Sequence, residues 1–260
     1  MTDVAAKTLA EATFREIHAD IINCELPPGD WLRFDALRQR YGVSVSPLRE
    51  ALSRLTSMGF VTSVGQRGFR VAEVSADDLV DLTKARIWAE VSALRSAICV
   101  GDRNWEANIL ASAHRLGDRP NFRKSGKSYV LDEDWETDHR EFHTALVAAC
   151  PIKRLMAYRI QLFDESNRYR RLAVNRNPPN RDVSAEHKAL VEAALARDLD
   201  RASILMENHL LATTRRAIEG IGGDAGVEDR MALIKKDLKT VRGEMSSAKS
   251  KPGRRGHACL

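Results

Sequence analysis

Between Trp31 and Val71 the chain carries seven arginines against two acids, Asp35 and Glu50. A solvated face mixes its signs, and this run does not. It is also cut into short pieces. Pro27, Pro28 and Gly29 stop an amphipathic helix over 8–24, whose apolar residues Leu9, Ala12, Phe14, Ile17, Ile21 and Ile22 fall near helical spacing. Trp31-Leu32 reads as a short extended piece. Phe34–Tyr41 fits one short helix ended by Gly42 at the position after its last turn. Ser44 or Ser46 can cap the next helix, and Pro47 suits its first turn. Leu48, Ala51, Leu52 and Leu55 form that helix's buried stripe, and Gly59 ends it. Phe60–Val64 and Gly68–Ala72 are β-type runs joined by Gly65-Gln66-Arg67, a hairpin with a basic tip.

Helix, short helix, turn, helix and hairpin is the order of a winged helix-turn-helix. A recognition helix must offer a polar, basic face to the major groove while its other face packs on the domain. Arg49 and Arg54 lie off the Leu48/Leu52/Leu55 stripe, as do Ser44 and Ser46. Arg38 on the short helix joins them as a candidate DNA contact. Gln66, Arg67 and Arg70 on the wing are placed for phosphate or minor-groove contact. The plain alternative is a surface helix with ordinary arginines. The coincidence of turn, cap, stripe and basic hairpin favours double-stranded DNA.

From Ser75 the pattern changes. Ser75 caps a long helix over 77–100, with Asp77 and Asp78 in its first turn. Leu79, Leu82, Arg86, Glu90 and Ala93 share one stripe, so two charged residues lie on a core-facing side. Further helical patterns cover 104–117, 134–149, 153–173, 183–197 and 200–219, separated by loops at 124–128 and 177–180. No run in 76–219 reads as a strand. The expected fold class is mainly α: a winged helix-turn-helix over 1–74, an antiparallel helical bundle over 75–219, and a linker and largely disordered basic tail over 220–260. Residues 227–245 could form a marginal helix that frays without a packing partner. The basic run Lys249 to Arg255 lies in the tail.

Composition removes several classes. Of 260 residues, 43% are hydrophobic and 30% charged, enough to bury a core. No apolar stretch approaches the roughly 20 residues that cross a bilayer. The N-terminus has acids and no apolar core segment, so no leader is expected and the setting is cytoplasmic. Cys24, Cys99, Cys150 and Cys259 are scattered and read as free thiols. GxGxxG and GxxxxGK[ST] are missing, which argues against a nucleotide loop.

Histidines carry the remaining chemistry. His139 and His143, four apart in DHREFH, share a helix face. His187 and His209 lie on two later helices. An i, i+4 pair plus one histidine from each of two more helices makes a nitrogen cage inside a bundle. Imidazole suits zinc or nickel among divalent transition metals. The plain reading is four unrelated histidines satisfied by their neighbours.

The segment LRFDALRQRYGVSVSPLREALSRLTSMGFVTSVGQRGFRV resembles the N-terminal domain of the GntR family of bacterial transcription regulators, through GVS, the P-x-R-E-A-L recognition helix, G-F-V and the wing glycines. The remainder resembles the FadR-type effector domain (FCD), through LTKARIWAE, EFHTAL, AEHKALVEAALARD and RASILMENHL. The resemblance implies metal ligands at His143, His187 and His209. The fourth ligand in the family is usually an aspartate; that position holds His139 here, with Asp138 one step away. It also implies that Arg86 lies near a carboxylate ligand. GDRNWEANILASAH, HREFHTALVAAC and LFDESNRYR are similar to regulators of glutarate catabolism, which makes glutarate or 2-hydroxyglutarate the leading effector.

The expected function is repression at a palindromic operator by a homodimer, relieved or enforced by a small organic acid, a dicarboxylate first, held by the metal, Arg86 and Arg168. No membrane partner and no catalytic residue is expected. A metal-dependent enzyme using the four histidines would explain the cage but not the basic helix-turn-helix, and no motif supplies its acid or base. A purely architectural DNA binder would use the basic tail and show no operator preference.

Overall fold

The computed structural model describes residues 2–117, 119–125, 128–174, 181–222 and 225–247. Helix α1 (Thr2–Ile22) buries Phe14, Ile17, Ile21 and Ile22. Strand β1 (Trp31–Leu32), α2 (Phe34–Tyr41) and α3 (Val45–Ser57) follow. Gly42 turns the chain between the two helices at φ +66°, a left-handed conformation that costs glycine least. Ser44, not Ser46, takes the extended N-cap position of α3, although its side chain makes no capping bond. Pro47, Leu48, Ala51, Leu52 and Leu55 are the buried side of α3. They pack on α1 in a core closed by Phe60, Val61 and Val71.

Strands β2 (Val61–Ser63) and β3 (Phe69–Val71) form the wing, joined by a 3-10 turn at Gly65–Arg67. Strand β1 pairs with β3, with Trp31 opposite Arg70, so the wing is a three-stranded sheet in the order β1-β3-β2. The short extended piece read from Trp31-Leu32 is thus the sheet's third strand.

A second core is built from α4 (Ala76–Val100), α5 (Arg103–Gly117), α6 (Glu133–Val147), α7 (Lys153–Val174), α8 (Val183–Leu195) and α9 (Leu199–Gly222). Ser75 caps α4 by accepting from the Asp78 amide at 3.0 Å, and Asp132 and Asp182 cap α6 and α8 in the same way. The whole of the stripe expected on α4 is buried, Arg86 and Glu90 included.

Two expectations are corrected. Strands β4 (Phe122–Ser125) and β5 (Ser128–Leu131) form an antiparallel hairpin between α5 and α6, where the sequence suggested only a loop. Four-residue strands give too little alternation to be seen, and their pairing comes from register: Phe122 lies opposite Leu131. The segment after α9 is also more than a frayed tail. Helix α10 (Val227–Ser247) joins the bundle core through Val227, Met231, Ile234 and Leu238, packed near α4 and α9. The apolar spacing was visible in the sequence; the partner groove was not. The basic run 249–255, Cys259 and the loop 177–180 lie outside the described residues. Among the described residues Cys24 and Cys150 are free thiols. Among the described residues no helix is long and apolar enough to cross a membrane.

Because Ile234 is fully buried in the bundle core, Ile234→Ala should lower stability by about 2–4 kcal/mol, read from denaturant unfolding. Loss of less than about 0.5 kcal/mol would mean that α10 adds nothing to the bundle.

Candidate functional site

The four histidines converge. Helix α6 presents His139 and His143 from one face, α8 presents His187 and α9 presents His209. All four are buried, and one ligand atom from each lies within 4.8 Å of the others. Nε2 of His139 and Nε2 of His143 are 3.1 Å apart. Two imidazole nitrogens on one ion, each at about 2.1 Å, sit at roughly that separation. Among the described residues, buried His143 Nδ1 and His187 Nε2 have no hydrogen-bond partner. His209 Nδ1 lies 2.8 Å from Glu186 Oε2, the carboxylate support that fixes a ligating histidine's tautomer and leaves Nε2 for a metal. Asp138 is turned away to pair with Arg119 at 2.8 Å, so His139 is the member of that pair that joins the cluster. The donor set fits a divalent transition ion.

Burial pushes all four imidazoles below their ordinary value. Arg170 adds to this at His139, and His209 adds to it at His143 and His187; Glu186 opposes it at His209. They therefore stay neutral, the form that binds metal.

Beside the cage is a cavity of about 70 Å³, whose lining includes His139, His209 and the arginines Arg86, Arg170, Arg181 and Arg216. Its remaining wall is largely apolar, with Phe122 and Leu131 supplied by the β4–β5 hairpin and Trp135 by α6. A second cavity of about 420 Å³, lined by Arg119, His187 and Lys188, shares Asn121, Trp135, Arg181 and Val183 with the first.

Arg86 is buried among three groups. It donates to Ser166 Oγ at 2.7 Å, lies over the Phe163 ring at 4.8 Å, and stands 3.8 Å from Glu90. Glu90 is already held by buried Arg159 at 2.7 Å. Burial lowers the Arg86 guanidinium to about 10 despite Glu90, so it remains charged. Arg170 pairs with Glu136, donates to Asn167 at 2.8 Å and touches His139 Nδ1 at 3.1 Å. Arg181 pairs with Glu186 and donates to Thr213 Oγ1 at 2.9 Å.

Arg168 does not join them. It donates to the Ala72 carbonyl at 2.7 Å and lies over Phe60, both in the N-terminal domain. Residues two apart on a helix point about 200° apart, so Arg170 takes the cavity side of α7 and Arg168 the opposite side. Spacing shows the opposition, but only packing shows which side is which. Arg170, Arg181, Arg216 and Arg159 were missed because nothing local separates them from the chain's many surface arginines.

The DNA candidates also divide. Arg49, Arg38, Ser44, Ser46 and Arg67 are exposed. Arg49 rests its guanidinium 5.2 Å from the Phe34 ring, on the outer side of α3. Arg54 is instead held by α1: it donates to Glu11 at 2.6 Å and stacks on Phe14 at 4.0 Å. Arg70 donates to the Gly29 carbonyl and pairs with Glu73 at 2.8 Å, bracing the wing. The Gln66 side chain lies outside the described residues.

A basic winged helix-turn-helix joined to a helical bundle defines a DNA-binding regulator. Comparison with known proteins places it more narrowly. Residues 9–71 match the model for bacterial regulatory proteins of the gntR family, and residues 81–212 match the FCD domain. The chain belongs to the GntR family of transcription regulators, in its FadR-type branch with an FCD domain. It is similar to the HTH-type transcriptional repressor GlaR of Escherichia coli K12, at 41% identity over 76% of this chain and 90% of that one. It is also similar to BphR, an HTH-type transcriptional regulator of Paraburkholderia xenovorans LB400, at 40% identity over 78% of this chain and 83% of that one. Among solved structures, E. coli McbR/YncC shares the fold with TM-score 0.64 and 18% identity, covering 88% of this chain and 98% of that one. The family and these relatives are transcription regulators, not enzymes.

The neutral histidines set a pH dependence. The unfolded chain takes up protons as pH falls through about 6.5, and the folded cage does not. Stability of the metal-free protein should therefore be greatest above about pH 7 and fall steadily between about pH 6.5 and 5. At Glu186 burial is outweighed by the His209 and Arg181 hydrogen bonds, which hold its carboxyl at about 2. That contribution is lost in turn below about pH 4.5. A melting temperature level from pH 7 to 5 would contradict the neutral, buried cage.

Proposed function

We propose that the chain is a repressor that binds a palindromic operator as a homodimer, and that a small carboxylate, a dicarboxylate foremost, controls its affinity for DNA. The observation that carries the reading is that Glu90 serves both Arg159 and Arg86. With Glu136 taken by Arg170, three buried or nearly buried arginines face two carboxylates. The four histidines, being neutral, add no compensation. A divalent ion held by His139, His143, His187 and His209 would raise the positive charge further, and zinc or nickel suits four imidazoles. The ion would supply a Lewis-acidic anchor for one carboxylate oxygen. An anion is the occupant that balances such a site. Arg86, whose Nε has Glu90 at 3.8 Å but no hydrogen-bond partner among the described residues, and Arg170 are the groups placed to bind that anion and orient it.

Helix α7 offers the route to DNA. Its cavity side holds Arg170, Asn167 and Ser166, the acceptor for Arg86. Its other side holds Arg168 on Ala72, and Gln161, which donates to the Met58 carbonyl at the end of α3 at 3.4 Å. An effector that favours one position of α7 changes the setting of the recognition helix, and operator affinity changes by that difference in binding free energy. On the DNA side, Arg49 is the leading base-reading residue, with Arg67 and Arg38 for phosphates and Ser44 and Ser46 beside them at the start of α3. Two copies related by a two-fold axis read a two-fold site.

Arg49→Ala should weaken specific operator binding by about 1–3 kcal/mol and leave the melting temperature unchanged. Operator affinity equal to that of the wild type in a gel-shift titration would remove Arg49 from the recognition surface.

Elemental analysis should find about one divalent transition ion per chain, and chelation should lower the melting temperature, because the ion binds only the folded state. His187→Ala and His209→Ala should lose the ion. Arg86→Ala should keep ion and operator binding but lose the response to organic acids. A response undiminished in Arg86→Ala, or no metal even after zinc is added, would refute this assignment.

A further inference from the structure

The cage is reached from two sides. His139 and His209 line the first cavity, His187 lines the second, and His143 is fully buried behind them. The two sides differ in room and in charge. The first measures about 70 Å³ and the second about 420 Å³. A divalent ion that keeps six waters, each roughly 30 Å³, takes up roughly 180 Å³, which the second cavity accommodates. On the first side Arg170 stands 3.1 Å from His139, and Arg86 shares Glu90 with Arg159. A cation approaching there meets guanidiniums short of carboxylate. On the second side the lining cations are Arg119, Arg181 and Lys188. Asp134 and Asp138 each hold Arg119 at 2.8 Å, Glu186 holds Arg181, and Asp182 lies in the wall itself. Four carboxylates outnumber three cations, so this mouth draws a cation in. The rest of the wall includes Ala113 and Leu116 from α5 and, one turn beyond His187 on α8, Val191.

We propose that the second cavity, and not the first, is the route by which the metal ion enters and leaves the cage, past His187. This rests on the metal reading above, in which the four histidines hold a divalent ion. His187 stands between the second cavity and the other three ligands, so it is the first of the four that an incoming ion meets. The carboxylates at the mouth attract the ion without trapping it, because each is already engaged: Asp134 and Asp138 by Arg119, Glu186 by Arg181, and Asp182 by the Ala185 amide at 2.9 Å. Two separable features then govern the rate of entry. One is the width of the gap between α5 and α8, which Ala113 and Val191 line from facing helices. The other is the charge at the mouth, where Lys188 is the exposed cation beside His187.

The test is stopped-flow mixing of the metal-free full chain with cobalt(II), whose visible absorption reports its arrival among imidazole ligands. Ala113→Phe, which fills the gap, should slow uptake by about fivefold or more and leave the final absorption unchanged. Lys188→Glu should speed uptake by about threefold or more at low ionic strength, and the gain should vanish in 1 M salt, where the screening length falls to about 3 Å. Phe122→Ala, which widens the first cavity, should leave the rate within about twofold of wild type. Lys188 is exposed, so its variant keeps the question decidable if Ala113→Phe does not fold. Wild-type rates in both Ala113→Phe and Lys188→Glu, or faster uptake by Phe122→Ala, would overturn the route and leave the metal assignment standing. Wild type that gives no cobalt spectrum at all would overturn both.

Discussion

Charge inside the bundle is the constraint on which the site depends. An unpaired ion in an apolar interior costs several kcal/mol. The bundle nevertheless buries Arg86, Arg159, Glu90 and Glu136 and nearly buries Arg170. Two carboxylates divide themselves among three guanidiniums, and the histidine cage is kept neutral by the same burial. Such an interior is stable but short of negative charge. A small anion would balance such a site, and under the proposed function stability and sensing would come from one set of residues.

The second requirement is that the deficit be felt far away. Helix α7 meets it because its opposite sides have opposite duties. Arg170 lines the cavity, and Asn167 and Ser166 accept from Arg170 and Arg86 behind it; Arg168, Gln161 and Asp164 face the winged domain, where His18 lies 4.0 Å from Asp164 and edge-on to Phe60 at 4.7 Å. Phe60 closes the core beneath the recognition helix. Under the proposed function a shift of α7 would pass through packed side chains rather than through a hinge, since close-packed interiors pass such shifts on instead of absorbing them.

The hairpin and α10 show how packing completes what helices begin. Phe122 and Leu131 face each other across β4 and β5 and wall the cavity on a side the helices leave open. Helix α10 covers the apolar surface of α4 and α9. Neither segment has a pattern strong enough to specify itself; each takes its form from the surface it closes.

Much was legible in the residues. The buried stripe of α3, the turn at Gly42, the cap at Ser75 and the shared face of His139 and His143 all follow from local rules of spacing and hydrogen bonding. The meeting of His187 and His209 with that pair could be expected, since a bundle has one core. What stayed hidden were choices among equals. Arg49 and Arg54 look alike in sequence, yet Glu11 and Phe14 claim Arg54 and leave Arg49 exposed. Arg168 and Arg170 stand two apart, and only the neighbours of α7 decide which one meets the cavity. Glu90 reads as the helical partner of Arg86 until Arg159, 69 residues away, takes the closer place. The sequence by itself determined the winged domain, the helices from Ser75 to 219 with their apolar faces, and the family, because these depend on contacts within a few residues; the β4–β5 hairpin and the docking of α10 it did not. The tertiary structure alone decided which charges are paired and which remain to bind a ligand, because pairing depends on distances between helices that no local pattern encodes.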